Sequence, residues 1–94
     1  MIMTVCSYRD TKLNIFGQPF FLAVKEKDDI VENIRRMCAS PELPKVYFEY
    51  DLYLLGTYDD KVGMFTTAQP EFLVSLGDFK HLAAVPEEVQ HVEG

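Results

Sequence analysis

The strongest structural signal in this chain lies in residues 47–63, which read YFEYDLYLLGTYDDKVG. Positions 48, 50, 52, 54 and 58 are apolar or aromatic and positions 49, 51 and 57 are polar, a two-residue period that is typical of a half-buried β-strand. Tyr or Leu at positions 47, 53 and 55 breaks the alternation on the polar side. The next loop ends at Gly63, and glycine readily adopts the left-handed backbone of a hairpin turn. We therefore predict one long strand, a tight turn from Asp59 to Gly63 and a return strand over residues 64–67.

One amphipathic helix is predicted before this hairpin. Asp28 or Asp29 is a favourable N-cap, and Glu32 stands three residues after Asp29, in the position of a capping-box partner. Apolar residues at positions 30, 31, 34, 37 and 38 form one stripe at the helical period. We expect the helix to end near Ala39, because the prolines at positions 41 and 44 cannot continue it.

The other apolar segments predict short strands. Residues 2–8 alternate and contain β-branched side chains, so a first strand is expected there. The apolar pentad at residues 20–24 is expected to return beside it, after a polar stretch that is rich in turn formers. Residues 72–76 fit either a strand or a short helix, and we favour the strand. Asp78 could then cap a last turn that reaches Leu82.

Together these elements predict an α+β fold, in which a small antiparallel sheet of three to four strands carries one main helix packed on one face. We predict a single domain over residues 1–82 and an acidic, flexible tail over residues 83–94. A domain of this size has a thin core. Its 7 Phe and 5 Tyr must therefore either fill that core or cover a contact surface, and a homo-oligomer is expected.

Charge is unevenly distributed along the chain. The formal net charge is −6, but residues 1–46 carry seven Lys or Arg against six Asp or Glu, and residues 47–94 carry two against nine. Nucleic-acid binders usually have a basic face that neutralises phosphates, so this balance argues against strong binding. A local patch could still bind DNA, and its candidate residues are Arg9, Lys12, Lys25, Lys27, Arg35, Arg36 and Lys45.

Arg35 and Arg36 are the first choice within this set, because they lie close together and off the buried stripe of the helix. Ordinary solvated surface charge is the simpler alternative for all seven residues. Rings interleaved with basic residues in segments 8–16 and 20–25 could stack on single-stranded bases, although most of these rings are expected in the core.

No motif predicts catalysis, a cofactor or a metal ion. His81 and His91 stand ten residues apart, which is not a metal-ligand spacing. Glu49 and Asp51 would share one strand face, but a solvated pair explains them better than acid–base chemistry does. Cys6 and Cys38 are isolated and are predicted to be reduced and buried. No apolar run is long enough to span a membrane, so we expect a protein that is neither exported nor membrane-embedded.

The order of these segments resembles the small non-structural protein of gokushovirus-type Microviridae, bacteriophages with small circular single-stranded DNA genomes. The resemblance spans about residues 3–80, and its most specific part is the run DLYLLGTYD at residues 51–59, followed by Gly63. Tyr8-Arg9-Asp10, Pro19-Phe20 and a helix that carries Arg35 also match. Asn33 and Met37 depart from the family pattern, which has a small residue and often an aromatic residue at those positions.

The lack of catalytic motifs predicts that the protein is not an enzyme. The resemblance implies a protein of the host bacterial cytoplasm that acts in viral genome replication, at the switch from duplex to single-stranded DNA synthesis. Some proteins of this kind are described as DNA-binding, so weak binding to single-stranded DNA by an oligomer is expected. The alternative is a protein-interaction module that modulates host replication or capsid assembly without contacting DNA. In either case the expected partners include viral or host replication and assembly proteins.

Overall fold

The computed structural model describes residues 1–82, and the predicted acidic tail over residues 83–94 lies outside the described part. The elements are an antiparallel sheet and one main α-helix: β1 (Ile2–Asp10), β2 (Ile15–Phe16), β3 (Phe20–Leu22), α1 (Lys27–Cys38), β4 (Tyr50–Asp59) and β5 (Met64–Ser75). Residues 80–82 are also α-helical. Two 3₁₀ helices, Lys45–Glu49 and Leu76–Phe79, precede β4 and follow β5. This arrangement agrees with the predicted α+β class. The sheet has five strands rather than three to four, because the short β2 also pairs with β1.

Strand β1 is the centre of the sheet. It pairs antiparallel with β4, from Ile2 opposite Asp59 to Asp10 opposite Tyr50. On its other side β1 pairs with β3 and with β2, while β5 lies on the outer side of β4. The predicted return of the apolar pentad beside the first strand is confirmed for β3. The β4–β5 hairpin is also confirmed, and Gly63 in its turn has a positive φ of 69°.

The alternation predicts a long strand that begins at Tyr47, but β4 begins at Tyr50. Residues 45–49 form a 3₁₀ helix instead, in which the N–H of Tyr47 donates to the carbonyl of Pro44 at 3.1 Å. This turn lets the ring of Tyr47 stack on Tyr8, with a centroid distance of 5.7 Å. The predicted shared face of Glu49 and Asp51 is therefore wrong, because only Asp51 lies on β4.

The predicted caps of the two helical segments are also wrong. Helix α1 begins at Lys27, its N-cap is Glu26, and no side chain caps it. Asp28 and Asp29 lie within the first turn, where their charge is still favourable next to the helix dipole. Residues 72–75 are strand, as favoured, and the following helical turn has Ser75 at its N-cap rather than Asp78.

A small core lies between α1 and one face of the sheet, which we call the inner face. Its buried apolar residues are Ile30, Ile34 and Cys38 from the helix, together with Cys6, Leu52 and Leu76. Cys6 and Cys38 are buried free thiols, as predicted, and burial raises the pKa of Cys6 to about 11. A thiol with a raised pKa is a poor nucleophile at neutral pH, so both residues act as packing groups.

The sheet is irregular where β4 passes Gly56. Leu54 pairs with Glu71 and Gly56 pairs with Thr67, so residues 68–70 of β5 lie opposite the single residue Leu55. This bulge brings the two backbones unusually close beside Gly56. A Cβ atom at this position would lie 2.1 Å from the Thr66 carbonyl oxygen, and the φ of Gly56 is 156°. The glycine of the run LYLLG is therefore required by the sheet itself.

We expect Gly56→Ala to lower the free energy of unfolding by about 3 kcal/mol or more, since the hairpin strands must separate and the backbone is strained. Gly63→Ala is the matched control, because Gly63 also has a positive φ but a Cβ atom added there would have no neighbouring atom within 4 Å. The free energy of unfolding of this control should fall by only about 1–2 kcal/mol. Urea unfolding followed by circular dichroism measures both variants, and equal losses would contradict this assignment.

Candidate nucleic-acid interface

The opposite face of the sheet, which we call the outer face, carries aromatic rings. Strand β1 alternates so that Val5, Ser7 and Arg9 point to this side, and their neighbours on β2 and β3 are Phe16 and Phe21. On β4 and β5 the same registers bring further rings to this face. No helix or strand within residues 1–82 packs over them, and Phe16, Phe21, Phe65 and Phe72 are 41%, 40%, 56% and 52% exposed.

These rings form two groups. Phe16, Tyr53 and Phe72 make edge-to-face contacts with centroid distances of 5.2 and 5.8 Å, and we call them the Tyr53 cluster. Phe21, Tyr58 and Phe65 contact one another at 4.6 to 5.9 Å, and we call them the Tyr58 cluster. Such contacts hold the rings in place while leaving part of each ring accessible.

An apolar cavity of about 390 Å³ adjoins the Tyr58 cluster. Its lining includes Phe21 and Phe65, together with Val5, Pro19 and Leu55. Leu55 faces this cavity because it is the single β4 residue opposite the β5 bulge. A cavity of this size and chemistry suits a flat or apolar group, such as a base or a side chain of a partner.

The basic residues that the sequence singled out lie in three groups. Arg9 and Lys12 lie at the end of β1 and in the turn after it. Lys25 precedes α1 and Lys27 is its first residue, while Arg35 and Arg36 lie in its last turn. Lys45 begins the 3₁₀ helix that follows α1. Whether they contact DNA stays a prediction, but the structure shows which of them are paired with carboxylates.

Four of these cations are engaged by carboxylates. Lys12 pairs with Glu49 at 2.9 Å, and Lys27 pairs with Glu71. Arg35 donates two hydrogen bonds to Glu32 at 2.8 Å, and Arg36 donates one at 3.2 Å. Glu32 therefore serves two arginines of the helix instead of capping it.

Three of the predicted cations, Arg9, Lys25 and Lys45, have no carboxylate partner within residues 1–82. Arg9 lies on the outer face and donates from Nη2 to the side-chain oxygen of Asn14 at 3.0 Å. Its neighbour on β4, Asp51, instead accepts a hydrogen bond from the hydroxyl of Ser75 at 2.6 Å. Lys25 is exposed and forms no ion pair in the described part of the chain. Arg9 thus combines a charge that no carboxylate neutralises with a place beside the Tyr53 cluster.

Sequence reasoning missed most of the outer-face rings. Tyr8 and Phe20 pack against the core as expected, but Phe16 and Phe21 lie on the outer face. The signal for this face was present in β4, since Tyr53 and Leu55 interrupt the polar side of the alternation. In the structure both residues lie in β4, Tyr53 in an aromatic cluster of the outer face and Leu55 in the lining of the cavity. The second face of β4 is therefore also partly apolar.

The remaining chemistry-bearing residues stand apart from one another. No group of three or more His, Cys, Asp or Glu residues within the described range could hold a metal ion. His81 is exposed, and His91 lies outside the described residues. Burial, with a smaller contribution from Tyr47, raises the pKa of Tyr8 to about 12, so its phenol stays protonated at neutral pH.

The sequence matches the family described as Phage ORF5 protein over residues 3–79. The chain belongs to this family. No curated protein and no solved structure matches it. The match covers every strand of the sheet and the helix, and with them both aromatic clusters. Among residues 1–82 there is no helix that is long and apolar enough to cross a membrane.

The ion pairs of Glu32 predict a specific acid response. Hydrogen bonds from Arg35 and, to a smaller extent, Arg36 lower the pKa of Glu32 to about 2, from 4.5 in the unfolded chain. A lowered pKa means that the contribution of Glu32 to stability is complete above pH 4.5 and is lost as the pH falls towards 2. The stability difference between wild type and Glu32→Gln should therefore shrink over this interval, as measured by urea unfolding at several pH values.

Because Glu32 is exposed at the helix surface, added salt should also reduce this difference at neutral pH. A difference that does not change between pH 6 and pH 2 would show that Glu32 acts through packing and not through its charge.

Proposed function

We propose that this phage ORF5 protein acts in viral genome replication as a non-enzymatic protein that binds single-stranded DNA on its outer face. In keeping with the gokushovirus-type resemblance, it works in the host bacterial cytoplasm at the switch from duplex to single-stranded DNA synthesis. It acts as an oligomer, because the chain is acidic and one copy offers few unpaired cations.

The observation that carries this proposal is the uncovered aromatic face of the sheet. Six rings lie on it in two clusters, and its four phenylalanines are 40–56% exposed. Single-stranded bases stack on such rings without regard to sequence, and each stacked base contributes about 1–3 kcal/mol. A protein that accompanies genome synthesis needs this sequence tolerance.

Phosphate binding would come chiefly from a cation beside this face. Arg9 has the strongest case, since it lies beside Phe16 and no carboxylate within residues 1–82 neutralises it. Lys25 and Lys45 also have no carboxylate partner within residues 1–82. Lys12, Lys27, Arg35 and Arg36 would have to exchange a carboxylate for a phosphate, which reduces what they can add.

A rival function is a protein-interaction module that modulates host replication or capsid assembly. Two observations favour it: the net charge of −6 and the pairing of four predicted cations with carboxylates. The same exposed rings could equally bury themselves against a protein partner. A pull-down from infected cells separates the two functions, because recovery of nucleic acid without a phage or host protein would count against the rival.

Loss of outer-face rings should weaken DNA binding. We expect Phe65→Ala and Phe72→Ala, one from each cluster, to lower the affinity for a fluorescent oligo-dT by about 5- to 150-fold each, the value of one stacked base. Fluorescence anisotropy at low salt gives the affinity. Val62→Ala is the matched control, since this apolar side chain is 68% exposed but lies in the hairpin turn, and it should bind like wild type.

A salt series completes the measurement, because phosphate contacts make affinity fall as salt rises. If wild type shows no binding at low salt, or if both ring variants bind as tightly as the Val62 control, the proposal is wrong.

The source of the positive charge is tested by two further variants. Arg9→Gln should weaken binding and make its salt dependence shallower by about one phosphate contact. Glu32→Gln frees Arg35 and Arg36 from their carboxylate, yet it should leave binding on the outer face unchanged. A clear gain in affinity for Glu32→Gln would move the phosphate contact to the helix, where the sequence had first placed it.

A further inference from the structure

Strand β5 forms one edge of the sheet and is unprotected over half its length. It has no strand on its outer side within the described residues, and every residue from Met64 to Phe72 is exposed. Proteins usually protect such edges with charges, prolines or a covering element. The segment from Met64 to Gln69 has none of these, because its first proline is Pro70 and its first charge is Glu71.

The composition of this segment favours strand pairing. Residues 64–68 read MFTTA, and phenylalanine and threonine have high β-propensity. Beyond the bulge the edge changes character, since Pro70 lacks an N–H donor and Glu71 is held by Lys27 of α1. The free part of the edge is therefore the arm that runs from Met64 to Ala68.

We propose that this arm pairs antiparallel with the same arm of a second copy of the chain, around a two-fold axis at Thr66. This inference rests on the oligomer of the proposed function and supplies its interface. Residues that lie opposite each other in an antiparallel pair point to the same face of the sheet, whereas neighbouring residues of one strand point to opposite faces. A pairing of two identical strands around a two-fold axis therefore has to be centred on one residue, which lies opposite itself. Centring it on Thr66 uses the four residues before the bulge, Met64 to Thr67, and Ala68, the first residue of the bulge.

The arm is self-complementary in this register. Thr66 faces Thr66 of the second copy, Phe65 faces Thr67, and Met64 faces Ala68, so that large side chains meet small ones. Threonine pairs and aromatic–β-branched pairs are favourable across strands, and no like charges meet. A partner strand of unrelated sequence would not have this match, which is why we assign the edge to a second copy.

The pairing also extends the proposed DNA surface. Phe65 belongs to the Tyr58 cluster, and in the paired sheet the Tyr58 clusters of both copies lie on one continuous outer face. Five residues per chain bury less than the roughly 800 Å² per partner of a standard interface. We therefore expect a reversible dimer that forms at micromolar to millimolar concentration, and two linked platforms bind a strand more tightly than one.

Charge substitution at the axis tests the pairing, because residue 66 would face its own copy. Thr66→Lys and Thr66→Glu should each weaken the dimer by at least about tenfold, through like charges placed opposite each other. An equimolar mixture of the two variants should restore it as a heterodimer. Sedimentation equilibrium over the stated concentration range measures all three samples.

Thr57→Lys is the matched control. Thr57 is exposed and is the Cα partner of Thr66 on β4, so the variant adds the same charge one strand away from the edge. It should dimerise close to wild type. Circular dichroism confirms that each variant is folded before its mass is measured.

The proposal is overturned if wild type stays monomeric over the whole range, which would leave the edge to a strand from another protein. It is also overturned if Thr66→Lys dimerises as wild type does, or if the mixture does not. Salt separates this result from DNA binding: screening the −6 charges should strengthen the dimer and weaken DNA binding. A monomer that binds oligo-dT refutes only the interface, and a dimer that binds none refutes only the proposed function.

Discussion

One short helix has to cover a sheet that is longer than the helix. Helix α1 has 12 residues and is therefore about 18 Å long, whereas β5, which also has 12 residues, extends for about 40 Å. The molecule measures 56 × 30 × 18 Å, and its smallest dimension has room for the sheet and one helical layer only. The helix buries Cys6 and Leu52 on one face, but within residues 1–82 no second helix covers the far half of the hairpin or the rings of the outer face.

The outer face compensates for the missing layer only in part. Its rings pack sideways against one another across four strands, and this contact removes some apolar surface from water. Because edge-to-face packing covers only one side of a ring, the phenylalanines stay about half exposed. A surface of this kind is typical of proteins that complete their packing with a ligand or a partner.

The register of β4 with both neighbouring strands shifts next to Gly56, between the two aromatic clusters. Against β1 the strand β4 carries one extra residue, Leu55, because Cys6 pairs with Leu54 and Val5 pairs with Gly56. Tyr53 and Tyr58 therefore both lie on the outer face, although they are five residues apart on one strand. In a regular strand an odd separation would place them on opposite faces. The two aromatic clusters therefore share a face only because the sheet is irregular between them.

The ion pairs of the predicted cations are of two kinds: some join neighbouring residues of α1, and others join segments that are far apart in the sequence. The contacts of Glu32 with Arg35 and Arg36 could have been predicted, because residues three and four positions apart meet on a helix surface. The pairs Lys12–Glu49 and Lys27–Glu71 could not, since each joins segments that approach each other only in the folded sheet. Folding thus pairs four of the seven basic residues in the first half of the chain with carboxylates.

The sequence by itself determined the helix, the long strand, its hairpin turn and the family, because these depend on periodicity, on glycine and on a run of neighbouring residues. Tyr53 and Leu55 are visible as exceptions to the alternation, but the pattern itself indicates a strand with one polar side. Only the tertiary structure decided where β4 begins, which rings are buried and which cations are neutralised. The physical reason is that each of these depends on contacts between distant segments: Tyr47 turns out of the strand to meet Tyr8, and Phe16 and Phe72 share a face only once β1, β2, β4 and β5 are paired.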